Sequence, residues 1–434
     1  MYDIIKIYKS DMIKREIFEK IKPWLGDEKI IIIKGARQTG KTTLLLHIKK
    51  YLENNNQVVY LSVDQDLNNP IFQDSKLFLK YINDQYNLEN KKLYILLDEF
   101  QYIKNAGLFL KNIFDKEKKR MQLIVSGSSS LEITKNSEFL TGRKIDFFMQ
   151  TLSFKEFLST KSVNKYDYLW SFSDNIKELL DFYKIYKQDL EINFLDYINW
   201  GGYPEVTTTK NSDKRKIILD DIIKTYIKKD VANFLRVQNI SGYNNLILLL
   251  SNQVGNLVNK DELSNTLRLN SRTIENYLDI LEGTFIFQRI FPFFSNLRKT
   301  LTKTPKIYCN DFGIIRSTTG QAEIFDYNLI NGEMVENFIF KELNKIFLNE
   351  NIFFYRTISG AEIDFIIKKD FLYSVEVKFR KNIKKMPVAM KHFVNDYKEK
   401  VKLNIVFTKD YLEFNKETNC FFIPVVLMPF IDLK

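Results

Sequence analysis

The chain has 434 residues, 45% hydrophobic and 14% aromatic, with 65 lysines and arginines against 54 aspartates and glutamates for a net charge of +11. That length suits roughly two to four domains, and the basic balance suits an anionic partner such as nucleic acid as well as it suits the codon bias of an AT-rich genome. Two cysteines and two histidines, all widely separated, exclude a disulfide framework, a zinc knuckle and a histidine-based triad, so any metal would be held by carboxylates, which favour magnesium or manganese.

The chain opens with "MYDIIKIYKSDMIKREIFEK", charged throughout and unlike a secretory leader, and no apolar run reaches the ~18 residues of a membrane span. A cytoplasmic location with no membrane partner is therefore expected. Short β-branched runs then alternate with helical stretches: "KIIIIK", "TTLLLHIKKYLENN", "QVVYLSV", "KLYILLDEF" and "MQLIVSGS". This is the pattern of a parallel sheet with helices on both faces. Between the first strand and its helix stands "GARQTGKT", which fits G-x-x-x-x-G-K-[ST] at every fixed position. Gly35, Ala36, Arg37, Gln38, Thr39 and Gly40 would wrap phosphates with backbone N–H groups. Lys41 would reach the β- and γ-phosphates of ATP, and Thr42, followed by Thr43, would complete a magnesium shell.

"LYILLDEF" ends an apolar strand in two carboxylates, with Asp98 suited to magnesium and Glu99 to orienting the attacking water. At the end of the next strand Ser126 and Ser128 could contact the γ-phosphate or cap a local turn. Arg143, in "LTGRK", could serve a neighbouring subunit as an arginine finger or pair with a carboxylate.

From "STKSVNKYDYLWSFSDNIKELLDF" to about residue 255 the reading is helical. "NLVNKDELSNTLRLNSRTIENYLDILEGTFIFQRI" then reads as three short helices and a strand, a helix-turn-helix with a wing in which Ser271 caps the second helix and Arg272, Thr273 and Asn276 would face a groove. After the Lys/Thr-rich crossing "RKTLTKTPKIYCNDFG", a helix at "EMVENFIFKELNKIF" precedes strands at "NIFFYR", "EIDFII", "LYSVEVK" and "KLNIVFT". On the second and third of these, Asp364, Glu376 and Lys378 sit among apolar residues. Glu376 and Lys378 share one strand face, and buried charges need pairing or a metal. Glu362 could be a spare ligand or a partner for a nearby lysine.

The ordered series "GARQTGKTT", "LLDEFQYI", "VSGSSS", "TGRKI", "LSFKEF", "GGYPEV", "TIENYLDILE", "TPKIYCNDFG" and "EIDFII" with "VEVK" resembles prokaryotic AAA-type ATPases whose P-loop domain is followed by a C-terminal domain of long-unknown function. The resemblance spans nearly the whole chain, departing at Thr151, where a proline looks usual. It implies an oligomer, with nucleotide at subunit boundaries. The C-terminal pattern is similar to the PD-(D/E)xK nuclease core, which implies that Glu336, Asp364 and Glu376 hold magnesium or manganese while Lys378 positions or deprotonates water. The expected architecture is α/β. It has a P-loop domain over residues 1–160, a helical lid or linker over 161–255, a winged-helix-like module over 256–300 and a restriction-endonuclease-like α/β domain over 301–434. The expected function is a magnesium-dependent ATPase coupled to nucleic acid, DNA in particular, with cleavage in its reach; the alternative is an ATP-switched regulator or scaffold whose nuclease-like domain is chemically silent.

Overall fold

The structure is a computed structural model that describes residues 13–86, 92–128, 137–162, 165–172, 174–226, 237, 239–294, 303–357, 360–397 and 400–433. It divides into two compact units, Met1–Thr151 with Gly283–Phe285, and Leu152–Glu282 with Ile286–Lys434. The segments 161–255 and 301–434 fall within the second unit, as does 256–300 apart from Gly283–Phe285.

In the first unit the strands β1 (Ile30–Lys34), β2 (Gln57–Ser62), β3 (Leu93–Asp98), β4 (Met121–Gly127) and β5 (Lys144–Phe148) form one sheet in the order β2-β3-β4-β1-β5. Every pairing is parallel. Strand alternation sorts the isoleucines of β1 to opposite faces. Ile30 and Ile32 pack with Phe78, Phe109 and Leu110 of the helices Ser75–Gln85 and Ala106–Glu117, whereas Ile31 and Ile33 pack with Leu44, Leu45 and Ile48 of the helix Lys41–Glu53. The central strands β1, β3 and β4 are therefore buried on both sides and read as near-continuous apolar runs, while the edge strands β2 and β5 are only partly buried.

The second unit begins with helices Phe154–Lys161, Ile176–Trp200, Pro204–Thr208, Ser212–Thr225, Ile240–Asn252, Lys260–Leu267 and Ser271–Gly283. The polar stretch expected to be helical is not so over 165–172. There Trp170 pairs with Ile431 as an isolated bridge and stacks on Phe421 at 5.2 Å, because two aromatics gain more on the sheet than in a solvated helix. Two helices stand where three were expected after residue 255: Leu257 bridges Lys306 instead of starting a helix. β6 (Phe287–Ile290) pairs antiparallel with β7 (Lys306–Cys309), and Arg298–Thr302 of the Lys/Thr-rich crossing lie outside the described residues.

The C-terminal sheet is mixed, in the order β12-β13-β11-β10-β9-β8, with β8 (Ile352–Arg356), β9 (Glu362–Lys368), β10 (Leu372–Lys378), β11 (Val401–Thr408), β12 (Glu413–Asn415) and β13 (Cys420–Pro424). β10–β11 and β11–β13 are parallel and the other pairs antiparallel. Met390 and Phe393 of the helix Val388–Asp396 join Ile363, Ile366, Val406 and Phe422 in one apolar cluster, while on the helix Gly332–Phe347 Phe340 stacks on Phe365 and Phe347 meets Tyr373 at a tilt.

Two of the resemblance motifs meet as structure rather than chemistry. The Asp311 carboxylate of "NDFG" accepts from the Gly202 N–H of "GGYPEV" and from Gly313 N–H, both at 2.8 Å, and ion-pairs with buried Lys341 at 3.3 Å. Gly201 is required there: its φ is +75°, and a Cβ would lie 2.0 Å from the Asp311 carboxylate.

Candidate functional sites

The phosphate-binding loop is positioned by burial of β1 before it and by the apolar face of the helix Lys41–Glu53 after it. Gln38 and Gly40 take positive φ, 58° and 94°, which turns successive backbone N–H groups toward one concavity. Gly35 passes so close to the carbonyl oxygen of Met149 that a Cβ would lie 2.1 Å from it. The Thr39 hydroxyl donates to the Ala36 carbonyl at 2.9 Å, and the Thr39 carbonyl accepts from Arg15 at 2.7 Å. Lys41, buried, donates to the Gly35 and Ala36 carbonyls at 2.9 and 2.7 Å, so its ammonium is held over the loop. Arg37 lies within the loop, and Thr42 and Thr43 are exposed at the helix start.

The Thr42 hydroxyl donates to Asp98 Oδ2 at 2.6 Å, across 56 residues of sequence. Asp98 also accepts from Tyr60 at 3.0 Å, from Ser126 and from the Glu99 N–H at 3.0 Å. Burial, followed by the Asp98 charge, raises the Tyr60 phenol above its ordinary range, keeping it a donor. Ser126, a candidate for the γ-phosphate, supports Asp98 instead. Glu99 follows the strand end in a left-handed conformation, φ +52°, which turns its side chain away from the strand register. An oxygen-donor pair of hydroxyl and carboxylate at the foot of a phosphate loop fits magnesium.

Gln101 is the residue that sequence reasoning missed here. Its amide nitrogen donates to Glu99 Oε2 and to Ser128 Oγ, the latter at 3.1 Å, while its oxygen accepts from Ser128 N–H at 3.3 Å. One buried amide thus ties Glu99 to Ser128. Its only signal in the sequence is its place two residues after Glu99. Arg143 is engaged within its own unit, donating to both Asp115 oxygens at 2.7 and 3.2 Å, and this contact lowers the Asp115 pKa.

In the C-terminal sheet Val375 opposes Phe365, which places Asp364 beside Glu376 across the antiparallel β9–β10 pair. Asp364 Oδ2 accepts from Val377 N–H at 2.7 Å, Glu376 Oε2 accepts from Asp364 N–H at 3.2 Å, and Lys378 donates to Glu376 Oε1. Burial, then the charges of Glu336 and Glu376, pushes the Asp364 pKa well up; burial also raises that of Glu376. Burial works against the Lys378 charge, but Glu376 outweighs it and raises that pKa. Asp364, Glu376 and Lys378 therefore meet as expected from the strand pattern.

Glu336 does not join them as a free ligand. Its Oε1 accepts from Lys306 at 3.0 Å and from Tyr308 at 2.6 Å. Among the described residues no group of three or more His, Cys, Asp or Glu is arranged to hold a metal ion. The expected set Glu336, Asp364 and Glu376 thus does not fit a divalent ion as it stands, because an ammonium already occupies one carboxylate. Glu362 takes the second of its two expected roles, pairing with Lys306 at 2.5 Å and with Arg356 at 3.6 Å.

In the helix-turn-helix segment, Asn270 rather than Ser271 caps the second helix, accepting from Thr273 N–H at 2.7 Å; the Ser271 hydroxyl reaches toward Asp261 at 3.4 Å. Arg272 and Asn276 are exposed.

Fold and site together define the first unit as a P-loop ATPase domain. Residues 27–158 match the AAA domain family, residues 191–323 a domain of unknown function (DUF8612) and residues 331–428 another (DUF4143). An uncharacterized protein of Haemophilus influenzae is 26% identical over 380 residues, covering 85% of this chain and 87% of that one. An uncharacterized protein of Methanocaldococcus jannaschii is 28% identical over 320 residues, covering 70% of this chain and 63% of the relative. The solved structure of the Aeropyrum pernix ORC1 protein in complex with DNA aligns with 71% of this chain and 91% of its own at 11% identity and a TM-score of 0.29, a likeness too low to carry an argument. No helix among the described residues is long and apolar enough to cross a membrane.

Proposed function

We propose that this chain is a magnesium-dependent ATPase whose nucleotide state controls engagement of nucleic acid, DNA in particular, by the C-terminal domain. The observation that carries the first half is the 2.6 Å bond between Thr42 and Asp98, which joins the phosphate loop to the acidic strand end where Glu99 follows. Thr42 and Asp98 would hold magnesium, which when bound neutralises phosphate charge. Lys41 leaves the loop carbonyls for the β- and γ-phosphates, and Glu99, steadied by Gln101, orients the attacking water. The test is ATP hydrolysis by the purified chain with and without magnesium; no magnesium-dependent turnover, with or without DNA, ends this reading.

The second half is supported by the segment following β10, where Arg380, Lys381, Lys384 and Lys385 are exposed beside the strand end that bears Lys378. Hydrolysis of the bound strand by Asp364, Glu376 and Lys378 with magnesium or manganese is the stronger form of the reading; a binding platform is the weaker. The engagement of Glu336 by Lys306 favours the platform. Anisotropy of labelled single-stranded and duplex DNA, together with a cleavage assay in each metal, separates the two.

We also infer that the working unit is an oligomer with Arg143 acting across the boundary. Its pairing with Asp115 is half-exposed and bidentate, and such surface pairs contribute only about 0–1 kcal/mol, so releasing Arg143 costs little.

A further inference from the structure

We propose that Lys306 is the built-in cation of the nuclease-like acidic cluster, standing where a divalent ion would otherwise balance Glu336 and Glu362, so that the domain keeps this cluster without metal and uses it to bind rather than cut. The inference rests on the reading of the C-terminal domain as nuclease-like.

The ammonium lies 3.0 Å from Glu336 Oε1 and 2.5 Å from Glu362 Oε1, and the side chain is only 5% exposed. Glu336 comes from the helix Gly332–Phe347 and Glu362 from β9, so one lysine joins the two elements that would each contribute a ligand. Its own strand is fixed on two sides: Lys306 opposes Ile290 in the β6–β7 pair and is bridged by Leu257, and its neighbour Pro305 accepts from Val258 N–H at 2.8 Å. Swinging the lysine out would leave Glu336 with only the Tyr308 hydroxyl and Glu362 with only the longer Arg356 contact at 3.6 Å.

The chain itself also supplies donors to each of the other carboxylates of the cluster. Tyr308 donates to Glu336, Val377 N–H to Asp364, and Asp364 N–H and Lys378 to Glu376. A divalent ion would have to displace an ammonium held by two carboxylates and then enter beside its charge. A loosely hydrated surface lysine would present no such barrier; a nearly buried one does.

The experiment titrates Mn2+ into the full chain without nucleotide and follows free Mn2+ by electron paramagnetic resonance. Binding removed by Asp364→Asn is assigned to this cluster, which separates it from the phosphate loop. Wild type is expected to show no Asp364-dependent binding up to about 1 mM, while Lys306→Met and Lys306→Gln gain an Asp364-dependent site at least about tenfold tighter. Asp364-dependent binding in wild type overturns the proposal, even if neither Lys306 variant folds. So does a folded Lys306 variant that gains no site. ATP hydrolysis and DNA anisotropy are measured on the same samples, and their failure would undo the functional reading without altering the metal result.

Discussion

Lys41 rests on the Gly35 and Ala36 carbonyls, so its ammonium is already held at the mouth of the loop, where a phosphate oxygen would replace the carbonyls. Lys41→Ala removes that charge and should lower ATP turnover by at least about 100-fold with a clear loss of nucleotide affinity, measured by phosphate release and by fluorescent-nucleotide titration. Glu99→Gln should keep the affinity and lose the turnover. Gln101 sits behind Glu99, and its amide spans from that carboxylate to Ser128. Gln101→Ala should lower kcat about tenfold while changing ATP affinity less than about threefold, since it touches the orienting carboxylate and not the phosphates. Ser128→Ala should give a loss that does not add to it, because both substitutions break one bridge. Additive losses would show that the bridge does not position Glu99.

At the scale of elements, the helix Ser271–Gly283 carries Glu275, Asp279 and Glu282, and Arg289 of β6 donates to all three from a nearly buried position. These acids are therefore partly neutralised from within the fold. Arg289→Met should destabilise the chain by about 2–3 kcal/mol, less than the 3–5 of a fully buried pair because Glu275 and Asp279 are partly exposed. Urea unfolding measures this. A pH effect belongs to the long helix Ile176–Trp200. There burial raises the Glu191 pKa, Lys187 and Lys409 oppose the shift, and Asp410 adds to it. A raised carboxyl pKa means the folded state favours the protonated form. That contribution is present below the ordinary carboxyl range and is lost as pH rises through the folded value. Glu191→Gln should thus raise Tm at pH 7.5, with the gain vanishing in acid. A gain independent of pH would assign it to packing instead.

For the whole molecule, the predictions concern assembly and the anionic partner. If Arg143 acts in trans, mixing Arg143→Ala with Lys41→Ala subunits should recover part of the ATPase activity, since some boundaries then carry both intact groups. No recovery, with a monomeric mass in ATP, would count against the oligomer. Each phosphate contact adds about 0.9 to the slope of log affinity against log salt. Replacing exposed Lys381, Lys384 and Lys385 by alanine should therefore reduce that slope by up to about 3 without changing basal ATP hydrolysis. An unchanged slope would place the DNA contacts elsewhere.

The nucleotide loop was legible in the sequence because its parts lie within eight consecutive residues and act largely through backbone, with glycine where the chain passes closest to Met149 and where φ reaches +94°. The parallel sheet and the Asp364, Glu376 and Lys378 constellation were legible for a related reason: strand periodicity is local, and two short strands joined by a tight turn have few registers open to them. Contacts between distant segments were not. Asp98 meets Thr42 across 56 residues, Asn270 displaces Ser271 as a cap because the turn before the helix brings its side chain to the Thr273 N–H, and Lys306 reaches Glu336 over 30 residues. In the sequence Lys306 is one lysine among many at the start of an apolar strand. Only the packing of β7 against the helix Gly332–Phe347 and β9 decides that its charge is buried between two carboxylates, because burial and the partners that offset its cost are properties of assembled elements.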